Sequence, residues 1–305
     1  MIAPAARVAL EEALGDRVRF DVPMSRHTSL RVGGPADALA VPQDRSDLAR
    51  LLRICAVHGL PHHVLGSGFN TLVLDGGLPG VVVQLRHLRE IGERPGGGLR
   101  AEAGVSHATI TRFCVSRGLS GLEFAAGIPG SIGGWIAMNA GIGSREAVDV
   151  VREVEVVSPT GRQRRHLGRE ALRFSYRALR GLAPGSVIVS ALLAVQLAEP
   201  ATVRAEVDRL LAARGASQPL NVPSCGSVFK NPPGGYAGQL IEQAGLKGER
   251  LGGAQISPVH ANFIANTGGA TAVDVIGLIR RAQDEVWRQS AIRLEPEVRI
   301  QGRTA

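Results

Sequence analysis

An α+β fold in two or three domains is what this sequence predicts, on three observations. At 305 residues the chain is long enough for a substantial core. Its hydrophobic share of 44% is carried by Val, Leu, Ile and Ala, with only 4% aromatics, so burial must come from aliphatic strands covered by helices. Its 39 glycines follow no period, which excludes collagen and low complexity and points to tight turns or to backbone lying against a ligand.

The elements follow in order. Ala5, Val8, Ala9, Leu10, Ala13 and Leu14 have helical spacing and stop at Gly15. Residues 36–41 read as a strand, and 44–58 as an amphipathic helix with Leu48, Leu51, Leu52 and Cys55 on one stripe. His63 leads into a glycine loop, and the apolar run 81–85 is a buried strand, completing a β-α-β unit. A more β-rich lobe follows: strand 99–103, helix 107–117, glycine loop 127–134, and strands near 150–158 and 187–197. Alternation through 153–157, ahead of Ser158-Pro159-Thr160-Gly161, predicts a hairpin. Helix 203–214, with Val207, Leu210 and Leu211 facing inward, marks a boundary. Beyond it lie a short helix 237–244, a strand 262–265 and a helix 271–288. The last carries Val275, Ile279, Ala282 and Val286 on one face and has Thr271 as its cap. The tail 293–301 is strand-like. The expected domains are 1–88, with the tail 291–305 returning to it, then 89–200 and 201–290. No internal repeat is visible.

A net charge of +8 and a pI near 10.5 admit a polyanion partner. The positive residues are scattered, however, with Arg162, Arg164 and Arg165 the nearest approach to a cluster and no aromatic-basic alternation. A phosphate-bearing small ligand explains the same charge, and no nucleic-acid partner is expected. Cys55, Cys114 and Cys225 make neither a CxxC pair nor an even disulfide framework, which implies a reducing compartment. The first residues lack the basic and apolar blocks of a signal peptide, and the longest apolar run, 187–198, is broken by Ser190 and Gln196. A soluble, cytoplasmic monomer with no metal and no membrane association is the expectation.

Four stretches carry chemistry. Lys230 is one of only two lysines among 35 basic residues and stands in Ser224-Cys225-Gly226-Ser227-Val228-Phe229-Lys230-Asn231-Pro232, a setting for a compact, mobile ammonium. The loop Gly66-Ser67-Gly68-Phe69-Asn70-Thr71 can converge backbone N–H groups into a pyrophosphate cradle. It does not match GxGxxG, and a hairpin turn explains it as well. Four glycines and a proline in Gly127-Ile128-Pro129-Gly130-Ser131-Ile132-Gly133-Gly134, ahead of Asn139, let the chain pass close to a flat ligand; a turn with a small-residue helix contact is the structural alternative. Tyr176-Arg177, read as a buried tyrosine beside an arginine, and Glu297 in Glu295-Pro296-Glu297 each also fit a plain surface charge.

Taken in order, with Thr28-Ser29-Leu30-Arg31-Val32-Gly33-Gly34, Gln218-Pro219 and the stretches 260–266 and 294–299 added, these motifs resemble the UDP-N-acetylenolpyruvoylglucosamine reductases over about residues 26–299. The spacing from Arg177 to Ser227 is similar to the compact type without an extra tyrosine loop. The resemblance implies a two-subdomain FAD-binding region of the vanillyl-alcohol-oxidase type, then an α/β substrate-binding domain. It implies non-covalent FAD, NADPH as reductant, and reduction of UDP-N-acetylglucosamine enolpyruvate to UDP-N-acetylmuramate for peptidoglycan. It also implies Ser227 as proton donor, with Arg177 and Glu297 around the substrate carboxylate. FAD would lie along Gly66, Ser67, Gly68, Phe69, Asn70 and Thr71, along Gly127, Pro129, Gly130, Ser131, Gly133 and Gly134, and at Asn139 and Arg299. Tyr176, Arg214, Lys230, Asn231 and His260 would take the substrate.

An ionised Glu297 beside a developing enolate would raise the barrier, so it is expected to be protonated in the complex. Cys225 is read as a packing residue. Two residues depart from the family pattern: Phe69 stands where serine is common, and Trp135 follows Gly133-Gly134 where a small residue is usual. Another flavin dehydrogenase or oxidase of the same fold, acting on a hydroxy acid or sugar lactone, would explain the glycine loops but not Ser227, Lys230 and Asn231 together with Glu297.

Overall fold

The computed structural model describes residues 1–219 and 221–304. The chain forms two compact units. The first comprises Met1–Phe20, Ala38–Ser67 and Gly80–Ala213; the second takes Asp21–Asp37, Gly68–Pro79 and the chain from 214 onward.

In the first unit, helix α1 (Pro4–Leu14) starts on a proline whose fixed φ suits the first helical turn, and it stops at Gly15 with φ 59°. Helix α2 (Arg45–Val57) is capped by the Asp44 carboxylate, which accepts from the Ser46 and Asp47 amides. Leu10, Leu14, Leu48, Leu51, Leu52 and Cys55 from these helices pack on Ala38, Ala40, Val81 and Val83. Those four belong to a four-stranded sheet in the order Val18–Pro23, Pro35–Ala40, Leu78–Val83, His62–Val64. The last two strands run parallel, although the chain between them holds a short strand and no helix; α2 instead connects Pro35–Ala40 to His62–Val64.

A five-stranded antiparallel sheet follows, in the order Arg164–Gly168, Val151–Val157, Val187–Leu193, Leu99–Glu102, Ile91–Glu93. The hairpin expected at Ser158–Gly161 joins its first two strands, with Gly161 N donating to Ser158 O. Helix α3 (His107–Arg117) has the expected bounds, with Ser106 as its cap and Gly118 ending it in the left-handed region.

The stretch 127–134 departs from the expected loop, because helix α4 (Ile132–Ala137) begins inside it. Tertiary contact overrides the low helix propensity of Gly133-Gly134. Ile132, Trp135 and Ile136 are buried in the core, and a Cβ on Gly133 would stand 2.8 Å from that of Ala103.

Helix α5 (Pro200–Ser217) buries Val203 and Val207 against Val115 and Ala126. Leu210 is half-buried and Leu211, expected inward, is 42% exposed. Eight residues past Val203, Leu211 has rotated by about 80° around the helix and leaves the narrow stripe.

The second unit holds a four-stranded antiparallel sheet in the order Ser224–Ser227, Phe263–Asn266, Ala254–Ile256, Arg250–Leu251. Helices α6 (Ala237–Gln243) and α7 (Ala272–Ser290) contribute to its core, with the expected Val275, Ile279, Ala282 and Val286 buried. Thr271 caps α7 reciprocally with Asp274, and the Asp75 carboxylate accepts from the Ala272 and Val273 amides. Only Arg299–Gln301 of the tail is a strand, parallel to Thr71–Val73. Pro296, which has no N–H to donate, is limited to a single bridge with Phe229. No helix among the described residues is long and apolar enough to cross a membrane.

Candidate active site

Ser227 ends a bulged strand. Ser224 pairs with Ala265 and Ser227 with Phe263, so the intervening pair Cys225-Gly226 faces a single residue, and Gly226 takes φ 75°. Such a bulge bends the strand and re-aims the side chain that follows. Among the described residues nothing hydrogen-bonds the half-buried Ser227 hydroxyl. Cys225 faces the core, where burial pushes its thiol up to about 12; it is a packing residue, as expected. Cys55 and Cys114 are likewise free and buried.

The segment after Ser227 is clamped on two sides. Val228 N donates to Asn262 O, while the buried Asn262 side chain accepts from Phe229 N at 2.9 Å and donates to Phe229 O at 2.8 Å. On the other side Val228 O accepts from Glu297 N at 2.7 Å and from Val298 N at 3.2 Å. Ser227 and Glu297 therefore flank one backbone contact. Asn70 Nδ2 donates to Glu297 O at 3.1 Å and Arg299 N donates to Asn70 O, which joins the end of the first glycine loop and Thr71 to the same place. Ser29 adds a tie, its hydroxyl reaching Ser224 O and Gly68 O.

Lys230 donates through its backbone to Glu295 O, and its ammonium forms an ion pair with the Glu295 carboxylate. Asn231 Oδ1 accepts from Ala237 N at the start of α6. His260 accepts at Nδ1 from Asn262 N and stands edge-on to Phe263; burial holds its imidazole below its usual pKa, hence neutral near pH 7. The Arg214 guanidinium is largely buried, with Nη2 donating to Gln218 Oε1 while Nε and Nη1 have no partner among the described residues.

The first unit positions Arg177 on a two-residue turn between Arg173–Ser175 and Ala178–Arg180, at φ 57°. The guanidinium pairs with Glu146 at 3.0 Å and lies 4.6 Å from the centroid of the Tyr176 ring. Tyr176, expected buried, is 45% exposed at the two-residue turn of this short hairpin. Asn139 is buried at φ 44°.

Backbone donors are open in both glycine stretches. The amides of Gly66, Ser67, Gly68 and Phe69, and those of Gly130 and Ser131, donate to no acceptor among the described residues. A Cβ on Gly66 would stand 2.8 Å from Ser131 Oγ, so that loop tolerates no side chain there. Gly127 and Gly130 adopt φ 76° and 112°, with Pro129 between them. Open amides and exposed glycine backbone are what an anionic dinucleotide requires, so the residues fit FAD. Neither departure obstructs that. Phe69 contributes its backbone, and Trp135 is 4% exposed, turned into the core against Phe124 and His107.

The family model for the C-terminal domain of UDP-N-acetylenolpyruvoylglucosamine reductase matches residues 218–301, and a model for an FAD binding domain matches 36–166. A UDP-N-acetylenolpyruvoylglucosamine reductase of Geobacter metallireducens is 46% identical over 293 residues, 96% of this chain and 97% of the relative. The chain belongs to the UDP-N-acetylenolpyruvoylglucosamine reductase family. One from Alkalilimnicola ehrlichii is 46% identical over 92% of the chain and 93% of its own length. The crystal structure of the Thermus caldophilus reductase superposes with a TM-score of 0.82 at 35% identity, covering 93% of this chain and all of that one. An alkyldihydroxyacetonephosphate synthase, 18% identical with a TM-score of 0.50 over 64% of this chain and 41% of its own, shares the fold alone. The α+β, vanillyl-alcohol-oxidase-type architecture expected for this reductase family is therefore present.

Sequence reasoning missed Ser29, Asn262 and Glu146. The first two lie inside the family stretches 28–34 and 260–266, where their polar character beside apolar neighbours was the available signal. Glu146 follows Asn139-Ala140-Gly141 at a distance no motif marks.

Proposed function

We propose that this chain reduces the enolpyruvyl ether of UDP-N-acetylglucosamine to UDP-N-acetylmuramate, with NADPH as reductant and FAD as the bound carrier. In this reading the region up to residue 200, with the tail from 291, holds FAD, and residues 201–290 take the sugar nucleotide. It acts as a cytoplasmic monomer, for which three free, buried thiols suit a reducing compartment. The observation that carries the reading is the Ser227–Glu297 juxtaposition: a hydroxyl with no partner among the described residues and a carboxyl-bearing residue on either side of the Val228 carbonyl.

The chemistry FAD supplies when bound is a two-electron relay from NADPH to the terminal vinyl carbon. The chain's residues manage the charge that follows. Negative charge grows on the adjacent carbon and spreads into the carboxylate, where the planar fork of Arg177 pairs with both oxygens. Ser227 gives its proton to that carbon. A hydroxyl is a weak acid, adequate here because the carbon it meets is strongly basic and the bulge holds it in place. Glu297 is protonated in the complex and donates to the same carboxylate.

The test is anaerobic: the yellow holoenzyme is bleached with NADPH and then given the UDP-enolpyruvyl sugar. Immediate return of colour with formation of UDP-N-acetylmuramate is expected; a flavin that reoxidises only with a hydroxy acid's oxidation product or a lactone's would place the chain with another substrate class. Glu297→Gln, which keeps a donor without a charge, is expected to retain near-wild-type turnover, and Glu297→Ala to lose about a hundredfold. Equal loss in both variants would mean that the ionised carboxylate is needed.

A further inference from the structure

Glu146 carries three hydrogen bonds on one carboxylate. Oε1 accepts from Arg177 Nη1 at 3.0 Å and Oε2 from Asn139 Nδ2 at 2.7 Å. The side chain also accepts from the Asp149 amide, in a reciprocal cap of the 3-10 turn Ala147–Asp149. The hairpin of Gly141–Ile142 with Arg145–Glu146 places Glu146 opposite Gly141, whose carbonyl oxygen is 3.4 Å from Arg177 Nη2. These two acceptors for the guanidinium thus come from one hairpin. Its closeness depends on glycine, since a Cβ on Gly141 would lie 1.9 Å from Arg145 O. Asn139 braces the arrangement: Nδ2 also donates to Ser175 O at 3.0 Å, and Oδ1 accepts from Val148 N at 3.0 Å. Ser175 immediately precedes the turn that carries Arg177, so the base of the turn and the anchor of its side chain are tied to one buried amide.

We propose that Glu146 is the positioning residue for Arg177, an inference that rests on the reading of Arg177 given above. An arginine side chain has several rotors, and a substrate that must order them spends binding energy doing so. Glu146 fixes one arm of the fork before the substrate arrives, at side-chain exposures of 16% for Arg177 and 22% for Glu146. It thereby presents the guanidinium to the carboxylate where charge develops. Glu146 touches neither substrate nor cofactor in this scheme and acts only through Arg177.

Four holoenzymes test it: Glu146→Ala, Glu146→Gln, Arg177→Ala and the double variant Glu146→Ala/Arg177→Ala, each followed through both half-reactions. NADPH-driven bleaching is expected to stay at the wild-type rate in all four. Reoxidation by the UDP-enolpyruvyl sugar is expected to fall about a hundredfold in Glu146→Ala, the size of effect a misplaced catalytic group produces. Glu146→Gln, with one oxygen left to satisfy Arg177 or Asn139 but not both, is expected between wild type and Glu146→Ala, and it carries the test if the alanine variant fails to hold FAD. In the Arg177→Ala background, removing Glu146 is expected to change reoxidation less than twofold. The same loss with and without Arg177, equal loss of both half-reactions, or unchanged reoxidation in Glu146→Ala would overturn the proposal. Wild-type reoxidation by Arg177→Ala alone would instead remove the role of Arg177 itself, and the proposal with it.

Discussion

Ser227→Ala is expected to separate the two halves of the catalytic cycle. NADPH should still bleach the bound flavin at the wild-type rate, because nothing in that step needs a proton from Ser227. Return of colour on adding the enolpyruvyl sugar should slow by about 10²–10⁴, the usual worth of a positioned proton donor. The neighbouring thiol offers no substitute: Cys225 points into the core and burial keeps it protonated, with a pKa of about 12. The variant should fold normally, since no described residue depends on the lost hydroxyl for a hydrogen bond. Stopped-flow absorbance of the flavin decides the matter, and equal slowing of both phases would make Ser227 a structural residue.

Arg45→Met is expected to give the largest loss of stability. Arg45 reaches from α2 to two carboxylates that are almost fully buried, Glu102 and Glu155. The Ser190 hydroxyl also donates to Glu155, and Glu102 accepts from the Glu90 amide. Methionine matches the stem of arginine but leaves both carboxylates without their cation, which costs about 3–5 kcal/mol and lowers Tm by roughly 6–20 °C.

The pH dependence has a definite sign. Burial pushes the Glu155 carboxyl up, but hydrogen bonds from Arg45 and Ser190 outweigh it and hold the group below the usual carboxylate range. A depressed folded pKa contributes stability that is present above the unfolded value and is lost as pH falls through the folded one. Without Arg45, burial dominates, the folded pKa rises, and the penalty grows as pH climbs past the unfolded value. The gap between wild type and variant is therefore widest at neutral and alkaline pH, narrows on acidification toward the unfolded carboxylate value of about 4.3, and closes only as pH falls further, through the depressed folded pKa of the wild type. A thermal melt series across that range checks it; identical Tm at pH 8 would show that the network adds nothing.

Local pattern made much of the fold legible. The stripe Val275, Ile279, Ala282, Val286 and the cap Thr271 located α7, because a helical face and its first turn are encoded within a few residues. The hairpin at Ser158–Gly161 was readable for the same reason. Helix α4 was not, since its glycines argue against a helix and only contact with Ala103 and the surrounding core reverses that. Leu211 was misplaced because an apolar residue one step off a narrow stripe has the same composition as one on it. The tail was over-extended as a strand because its alternating residues hide a proline that cannot donate to a ladder.

By itself the sequence determined which chemical groups exist and the local shapes they permit: glycines where φ is positive, a nearly unique lysine, apolar periods, and an ordered set of family motifs. Tertiary structure alone decided that Val228 O meets Glu297 N, that a bulge leaves the Ser227 hydroxyl without a partner among the described residues, and that Glu146 grips Arg177. The physical reason is range. Torsional preference and amphipathic period act over a few neighbouring residues, whereas hydrogen-bond pairing between distant segments is settled only when the whole chain has competed for its partners.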